Sequence, residues 1–349
     1  MNTYLVKTEG LDLKLIDNMF KKRGNWKIYG EDSEDKYVKF IHLDMKYFYN
    51  KSFYNLKSEI RNVVNENKYS IADKNNLYQN LNKLNSKICQ KYMMNQHYLD
   101  IKQPNKYKSL FDKNNTLKKI WILKPVEGYA GKGIVIIASY QQFEKTLNSL
   151  DKRYKKWVLA QYLEKPLLFK DRKFHLRMYF LYTNDGKKSE GFIHKIGEVA
   201  LAKDKYQLNN FNNPDIHDTH FKGMETDYYF PQDFIKENID KGKNKKDILK
   251  TIANIYLQLI ELFKHIFKLI DAKCYKETKK CYELFGCDIM ITEDYKIKLL
   301  EINTKIGYDS INPKKFTELY FGGVLEQVVD NWLPPRIEQK KNNYFLKVS

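Results

Sequence analysis

Asp288 lies inside the apolar run LFGCDIMI, and Glu301 and Asn303 lie inside IKLLEIN, with only the turn TEDYK between the runs. Two antiparallel strands joined by so short a turn bring Asp288 beside Glu301 and Asn303, and side chains two apart on a strand share a face. Three oxygen donors then point at one spot. Such a set suits Mg²⁺, which keeps some of its water and bridges carboxylates to nucleotide phosphates. An exposed hairpin with surface acids is the competing reading. Both acids stand among apolar neighbours, however, where an unpaired carboxylate is unstable, so a cation is expected beside them. A second group is Lys124 with Gly128, Gly131 and Gly133 in WILKPVEGYAGKG. Glycines admit backbone N–H groups close to phosphate oxygens, and a lysine on the preceding strand adds positive charge. The spacing is not that of a Walker loop, and a strand rather than a helix follows, so an ordinary glycine hairpin competes with phosphate binding here. A third group follows Arg172, where Lys173, His175 and Arg177 alternate along RKFHLRMYFLYT and share one face. Two cations on that face could grip a polyphosphate or a substrate carboxylate, and a solvated basic face is the alternative.

The elements that must position these groups are legible around them. WILKP reads as a strand, EGYAGKG as a glycine-rich turn and IVIIA as a second strand, a hairpin carrying a loop. A helix from Gln141 to Leu150 and a buried strand WVLAQYL follow. In RKFHLRMYFLYT, Phe174, Leu176, Met178 and Phe180 alternate with polar or aromatic residues, as in a sheet with two different faces. Ile248, Ile252, Ile255, Leu259, Leu262, Ile266 and Ile270 form the apolar face of a long helix, about Lys246 to Asp271. Residues Pro313 to Val329 return to helix. Upstream, Tyr4 to Lys7 and Tyr37 to His42 read as strands around a helix from Leu11 to Lys22, with a polar turn from Gly30 to Asp35. After Tyr69, Leu77, Leu81 and Leu84 recur at helical spacing, and Lys102 to Lys119 reads as a loop or linker.

A chain of 349 residues can bury a large core and divide into two or three lobes. Its 42% hydrophobic and 30% charged residues, with 27 Tyr and 20 Phe, exclude a disordered chain. The longest apolar stretch, Ile255 to Ile270, is interrupted by Gln258, Glu261, Lys264, His265 and Lys268 and is no membrane span. MNTYLVKTEGLDLK lacks a basic segment followed by an apolar block, which argues against secretion. Cys89, Cys274, Cys281 and Cys287 form no C-x-x-C pair, so four reduced thiols are expected. The net charge of +19 points to a polyanionic partner. Abundant Lys, Asn, Ile and Tyr, all with AT-rich codons, offer a compositional origin for the same charge.

WILKPVEGYAGKGIVI, VLAQYLEKPLLFKDRKFHLRMYFLY and ELFGCDIMI followed by LLEIN resemble, in order and spacing, the signature blocks of the tubulin-tyrosine ligase family. YLVKTEG, FKKRGNWK and IADKNNLYQNL resemble the first lobe of its tyrosine-adding type, so the likeness covers most of the chain. The resemblance implies an α/β (α+β) ATP-grasp fold, with a small N-terminal α/β lobe and two lobes clamping ATP. Their bounds would be 1–70, 71–163 with the glycine-rich loop, and 164–340 with the Mg²⁺ site. It makes Lys124 a phosphate contact, the loop with Gly128, Gly131 and Gly133 a phosphate lid, and Lys173 and Arg177 catalytic contacts to phosphate or substrate. Lys74 matches a lysine near the phosphates, and Thr219 and His217 match within IHDTHF. The strand from Ala160 through Gln161, Tyr162 and Leu163 would read adenine with its backbone, and Asp288, Glu301 and Asn303 would bind Mg²⁺.

The implied activity is ATP-dependent addition of an amino acid, tyrosine or glutamate, to a protein carboxylate through an acyl phosphate. The acceptor would be an acidic tubulin tail in the cytoplasm, with no membrane partner. The alternatives are a ligase for a non-tubulin peptide and a non-catalytic basic protein of the same fold that binds microtubules or nucleic acid. Departures fall at His175 and His220, which replace an acidic residue and an asparagine, and near Ala200, which replaces an arginine that handles the acidic substrate. Lys195 and Lys203 are the nearest cations in sequence that could compensate.

Overall fold

The computed structural model describes the chain except residues 31–32, 35, 45–46, 48–49, 63–68, 112–119, 129–130, 220–227, 271–273, 275–277 and 305–311, and the side chains of 51, 54 and 69. Its first strands, β1 (Asn2–Lys7), β2 (Trp26–Ile28), β3 (Tyr37–Leu43) and β4 (Lys57–Arg61), pair in parallel in the order β4-β3-β1-β2. The helix Leu13–Lys22 begins where the Asp12 carboxylate accepts from the Leu15 amide at 3.0 Å, a cap that satisfies an end amide. It buries Ile16 and Phe20, and the Phe20 ring stacks on Tyr4 with centroids 3.9 Å apart.

A small antiparallel sheet follows: β5 (Gln96–Tyr98), β6 (Trp121–Pro125), β7 (Val135–Ile137) and β8 (Trp157–Gln161), in the order β5-β8-β6-β7. The helix Tyr140–Asn148 packs Phe143 into its core beside Trp121, Leu123 and Trp157. The remaining strands are β9 (Leu168–Phe169), β10 (Arg172–Asn184), β11 (Ser189–His194), β12 (Gly197–Lys205), β13 (Tyr229–Phe230), β14 (Thr278–Ile291), β15 (Ile297–Asn303) and β16 (Phe345–Lys347). All of these join β1–β4 in one sheet, which has 12 strands among the described residues. The long strands β10 and β14 tie it together. The first half of β10 pairs with β12 and its second half with β11, while β14 starts beside β4, in parallel, and ends beside β15. The strands of residues 1–70 and those of 164–340 are therefore hydrogen-bonded into one sheet, and β5–β8 lie within 71–163.

Alternation along β10 divides the molecule. Phe174, Leu176, Met178 and Phe180 join the core under the helix Lys245–Lys268, which contributes Ile248, Ile252, Ile255, Leu259, Leu262, Phe263 and Ile266. The opposite face carries Lys173, His175 and Arg177, then Tyr179 and Leu181, which enter the core formed with helix Leu13–Lys22 and with residues 313–332. The predicted two-faced sheet is thus real, and the polar part of its second face is left for the site.

The structure departs from the sequence-based expectations in several places. The helix after Tyr69 breaks at Asn85, whose side chain caps Ser86–Tyr92. Leu84, at that break, is exposed, while Leu77 and Leu81 are buried. The expected linker holds a 3-10 helix, Pro104–Phe111, and its remainder 112–119 lies outside the described residues. Parts of the turn from Gly30 to Asp35 and the end of the long helix at Asp271 lie outside them too. The helix from Pro313 runs on to Trp332 and contains two π-helical stretches. The expectation of four reduced thiols is corrected. Cys274 and Cys281, with Cα atoms 5.4 Å apart, form a disulfide at the start of β14, while Cys89 and Cys287 are free and buried. A separation of seven residues carries no pairing signature in the sequence. No helix of the described residues is long and apolar enough to cross a membrane.

Candidate functional site

A cavity of about 460 Å³ lies between the two sheets, a size within the range of small-molecule sites. From the small sheet it is lined by Ile122, Lys124, Ile136, Ala160, Gln161 and others, and from the large sheet by Lys173, Asp288, Met290, Leu299 and Glu301. Of the residues singled out in the sequence, Lys74, Lys124, Gly131, Gln161, Tyr162, Leu163, Lys173, His217, Thr219, Asp288 and Glu301 all border this space. Gly128, Gly133, Arg177 and Asn303 are not among its lining residues.

Local folding fixes the position of each charge. Asp73 caps the helix Lys74–Leu84 by accepting from the Asn75 and Asn76 amides at 2.9 Å, which sets Lys74 at the first helical position. From there the Lys74 ammonium reaches the Glu301 carboxylate at 2.8 Å and the Gly128 carbonyl at 3.1 Å, tying the glycine turn to β15. Gly131 and Gly133 have φ of +70° and +79°, and a Cβ at Gly131 would overlap the Asp218 carboxylate. Only glycine suits that close approach. Residues 129–130 of the turn lie outside the described set, as does His220.

On β14 and β15 the expected pairing holds: Asp288 is opposite Glu301. Asn303 donates to Glu301 at 3.0 Å and lies 3.5 Å from Asp288. The carboxylates are not unpaired, however, and this corrects the premise from which a cation was expected. Arg177 binds Asp288 through both Nε and Nη2, the second at 3.1 Å, and Lys74 binds Glu301. The cause is the alternation of β10, which aims Arg177 at its cross-strand partner Asp288. Burial opposes ionisation of Glu301, but the Lys74 ammonium outweighs it and holds the carboxyl below its ordinary range. Burial likewise opposes the charge on Arg177, and Asp288 more than restores it. Among the described residues no three His, Cys, Asp or Glu side chains gather as a metal site. The donor set is two carboxylates and an amide that can turn Oδ1 toward them, chemistry that fits a hard cation if Lys74 and Arg177 give way.

Lys173 is buried, and its ammonium donates to the Tyr162 hydroxyl and the His217 carbonyl, each at 3.0 Å. His217 Nε2 lies 3.0 Å from the Asn210 carbonyl and must donate to it. Its Nδ1 therefore accepts from the Tyr162 hydroxyl at 2.8 Å. Burial pushes Lys173 down to about 8, with Asp218 opposing, and burial together with Lys74 pushes Lys124 down to about 8. Two desolvated ammonium groups facing a cavity favour an anion there. The Gln161 amide donates to Asn95 and the Tyr162 amide to Ile120, so these two N–H groups serve the sheet. Thr219 Oγ1 lies 2.6 Å from His175 Nδ1.

Sequence reasoning overlooked Asp218, Met290 and Leu299, whose roles depend on contacts across the sheet. It also proposed Lys195 and Lys203 beside Ala200. Lys203 is instead exposed and paired with Asp215 at 2.9 Å, and Lys195 lies in the turn before β12, its amide bound to the Tyr344 carbonyl. Ala200 sits opposite His175, so these two departures occupy one place.

The family model for the tubulin-tyrosine ligase family matches residues 55–305. A protein of Caenorhabditis elegans named as a probable tubulin polyglutamylase is 26% identical over 60% of this chain and 51% of its own length. Tubulin glycylase 3C of Tetrahymena thermophila is 27% identical over 64% of the chain and 21% of its own. A protein of Schizosaccharomyces pombe named as a probable tubulin–tyrosine ligase is 24% identical over 62% and 60%. The chain thus spans between about a fifth and three-fifths of these relatives, and their names divide among three amino acids. The model's match over most of the chain, with an α/β fold that places two sheets about a cavity as in an ATP-grasp protein, leads to one conclusion: the chain belongs to the tubulin-tyrosine ligase family.

Proposed function

We propose that this chain is an ATP-dependent ligase that joins the amino group of an amino acid to a protein carboxylate, with an acidic tubulin tail as acceptor in the cytoplasm. The observation that carries the proposal is the cavity itself, where Lys74, Lys124 and Lys173 face Asp288 and Glu301 below an apolar wall of Ile122, Ile136, Met290 and Leu299. The apolar wall suits a base, and the lysines suit a polyphosphate. The names of the relatives supply the acceptor. We take residues 1–70, 71–163 and 164–340 as its working lobes.

In this reading an oxygen of the acceptor carboxylate attacks the γ-phosphorus of ATP, the bond to the bridging oxygen breaks, and ADP leaves. The amine then attacks the acyl carbon, inorganic phosphate leaves, and the amine loses a proton. Lys124 and Lys173 neutralise charge that spreads over the transferred phosphoryl group, and Tyr162 and the His217 carbonyl hold Lys173 in place for that task. The Gly128–Gly133 turn would lie over the phosphates, with Gly131 held against Asp218. Arg177 orients Asp288 and adds its charge beside the acceptor. Asp288, Glu301 and Asn303 would hold Mg²⁺, which when bound would offset phosphate charge.

The test is to incubate the protein with Mg-ATP, a tubulin-tail peptide and tyrosine, glutamate or glycine, and to weigh the peptide. Addition of one residue mass with acceptor-dependent ADP release is expected. Absence of both would refute the ligase reading.

A further inference from the structure

After β12 the chain leaves the large sheet and comes back to it at Thr219, and residues 206–219 border the cavity on the way. Phe211, Asn212, Pro214 and His217 are among its lining residues. Both ends of this segment are fixed beside β10: the Tyr206 amide donates to the Asp171 carbonyl at 2.9 Å, and Thr219 Oγ1 lies 2.6 Å from His175 Nδ1. Its side chains, by contrast, reach the small sheet. The Tyr206 hydroxyl donates at 2.7 Å to the carbonyl of Glu164, just past β8, and Leu208 and Phe211 pack against Ile120, Ile136 and Tyr162. Leu208 and Phe211 are half-buried, whereas Gln207, Asn209, Asn210 and Asn212 around them are exposed. Two apolar anchors thus hold a polar segment to the small sheet.

His217 joins the segment to the charge that faces the cavity. The Phe211 ring stacks on the imidazole with centroids 5.9 Å apart, while the Asn210 carbonyl engages Nε2 and leaves Nδ1 to accept from the Tyr162 hydroxyl. Burial, with Lys173 adding to it, pushes His217 down to about 4, so the ring remains an acceptor at neutral pH. Lys173 donates to the His217 carbonyl, which belongs to the segment, and to the Tyr162 hydroxyl, which the His217 ring holds. Both of these acceptors therefore move when the segment moves.

We propose that residues 206–219 are a clasp that couples the seating of the small sheet to the placement of Lys173, and that Phe211 is its positioning residue. The inference rests on the reading of the cavity as a polyphosphate site and adds to it a residue that acts through His217 and Tyr162. Such coupling requires that a cut at the anchor be felt at the phosphates, where Phe211 itself makes no contact with Lys173.

The full chain is titrated by calorimetry with ATP and, separately, with inorganic tripolyphosphate, which has no base for Phe211 to touch. The wild type should bind both. Phe211→Ala should weaken both by about three- to thirtyfold, and Phe211→Leu, which keeps an apolar anchor, should recover most of the loss. Tyr162→Phe removes the hydroxyl between His217 and Lys173, so the double variant should fall short of the product of the two single effects by about threefold or more. A merely structural role lowers Tm without that shortfall. Leu208→Ala, a smaller cut at the same anchor, carries the comparison should Phe211→Ala not fold. Tripolyphosphate affinity that Phe211→Ala leaves unchanged, or single effects that simply multiply, overturns the clasp and leaves the polyphosphate site standing. Failure of the wild type to bind either ligand overturns the polyphosphate reading itself.

Discussion

Replacing Lys74 with methionine separates the structural charge balance from the metal site. The Lys74 and Glu301 side chains are 13% and 20% exposed and 2.8 Å apart. Removing one partner of a fully buried pair costs about 3–5 kcal/mol, and the partial exposure here lowers the expected loss to about 2–3 kcal/mol. Methionine keeps the stem packing, so the loss is mainly electrostatic: Glu301 is left facing Asp288 without the ammonium, with the Asn303 amide still donating to it. A chain of this length unfolds with an entropy of about 0.7 kcal/mol/K, so Tm should fall by about 3–4 °C. Mg²⁺ then does what the ammonium did. At ten times its Kd it should restore about 1.4 kcal/mol, or about 2 °C. The wild type should respond less, because Lys74 competes for the same carboxylates. Thermal unfolding followed by circular dichroism, with and without Mg²⁺, checks this on the wild type, Lys74→Met, and Lys74→Met with Glu301→Gln. An equal response in all three proteins would refute the assignment of Asp288 and Glu301 as metal ligands.

Glu301→Gln alone should abolish ligation and retain the folded circular dichroism spectrum, because Lys74 keeps its bond to the Gly128 carbonyl; turnover at the wild-type rate with acceptor present would contradict the role of the carboxylate. Lys173 and Lys124 are pushed down to about 8, so in the free protein both lose their charge as pH rises through that value. A polyphosphate favours the charged form, so ATP affinity should fall as pH rises above about 8 and binding there should take up protons, measurable by titration calorimetry in buffers of different ionisation enthalpy. The net charge of +19 should make the KM for a tail peptide rise steeply between low salt and about 0.3 M, while the KM for ATP, bound among buried groups, should change less. A salt-independent peptide KM would assign the lysines to composition alone.

The parts of the fold that were legible are those where a local pattern carries the information. The alternation of Phe174 to Phe180 predicted a strand with two different faces, and the short turn between LFGCDIMI and IKLLEIN predicted that Asp288 faces Glu301. The parallel pairing of β4 with β14, by contrast, joins residues more than two hundred positions apart and leaves no periodic mark. The short strands β9, β13 and β16 are defined by their partners rather than by their own residues. The site divides in the same way. Residue types at Lys124, Lys173, Asp288 and Glu301 were informative, but their neutralising partners were not. Lys74 reaches Glu301, and Tyr162 joins Lys173 to His217, only because distant elements converge. An acid in an apolar run therefore announces that some cation is near, without saying whether it belongs to the protein or to a ligand.

The same convergence decides how the departures at His175 and Ala200 should be weighed. Along the sequence they look like two separate losses, an acid on one strand and a base on another. In the sheet they are directly opposed, so the residues that the resemblance implies there would face each other as an ion pair. Loss of one partner alone would strand a charge, at a cost of about 3–5 kcal/mol if buried. Exchange of both leaves none, and His175 instead finds Thr219 at 2.6 Å. Lys74, Lys124, Lys173, Asp288 and Glu301 all border one cavity, and Arg177 is held on Asp288. The paired exchange leaves the charges of the cavity in place, as the proposed activity requires. A rate of acyl-phosphate formation, trapped with hydroxylamine, that is indistinguishable from the uncatalysed reaction would overturn that argument.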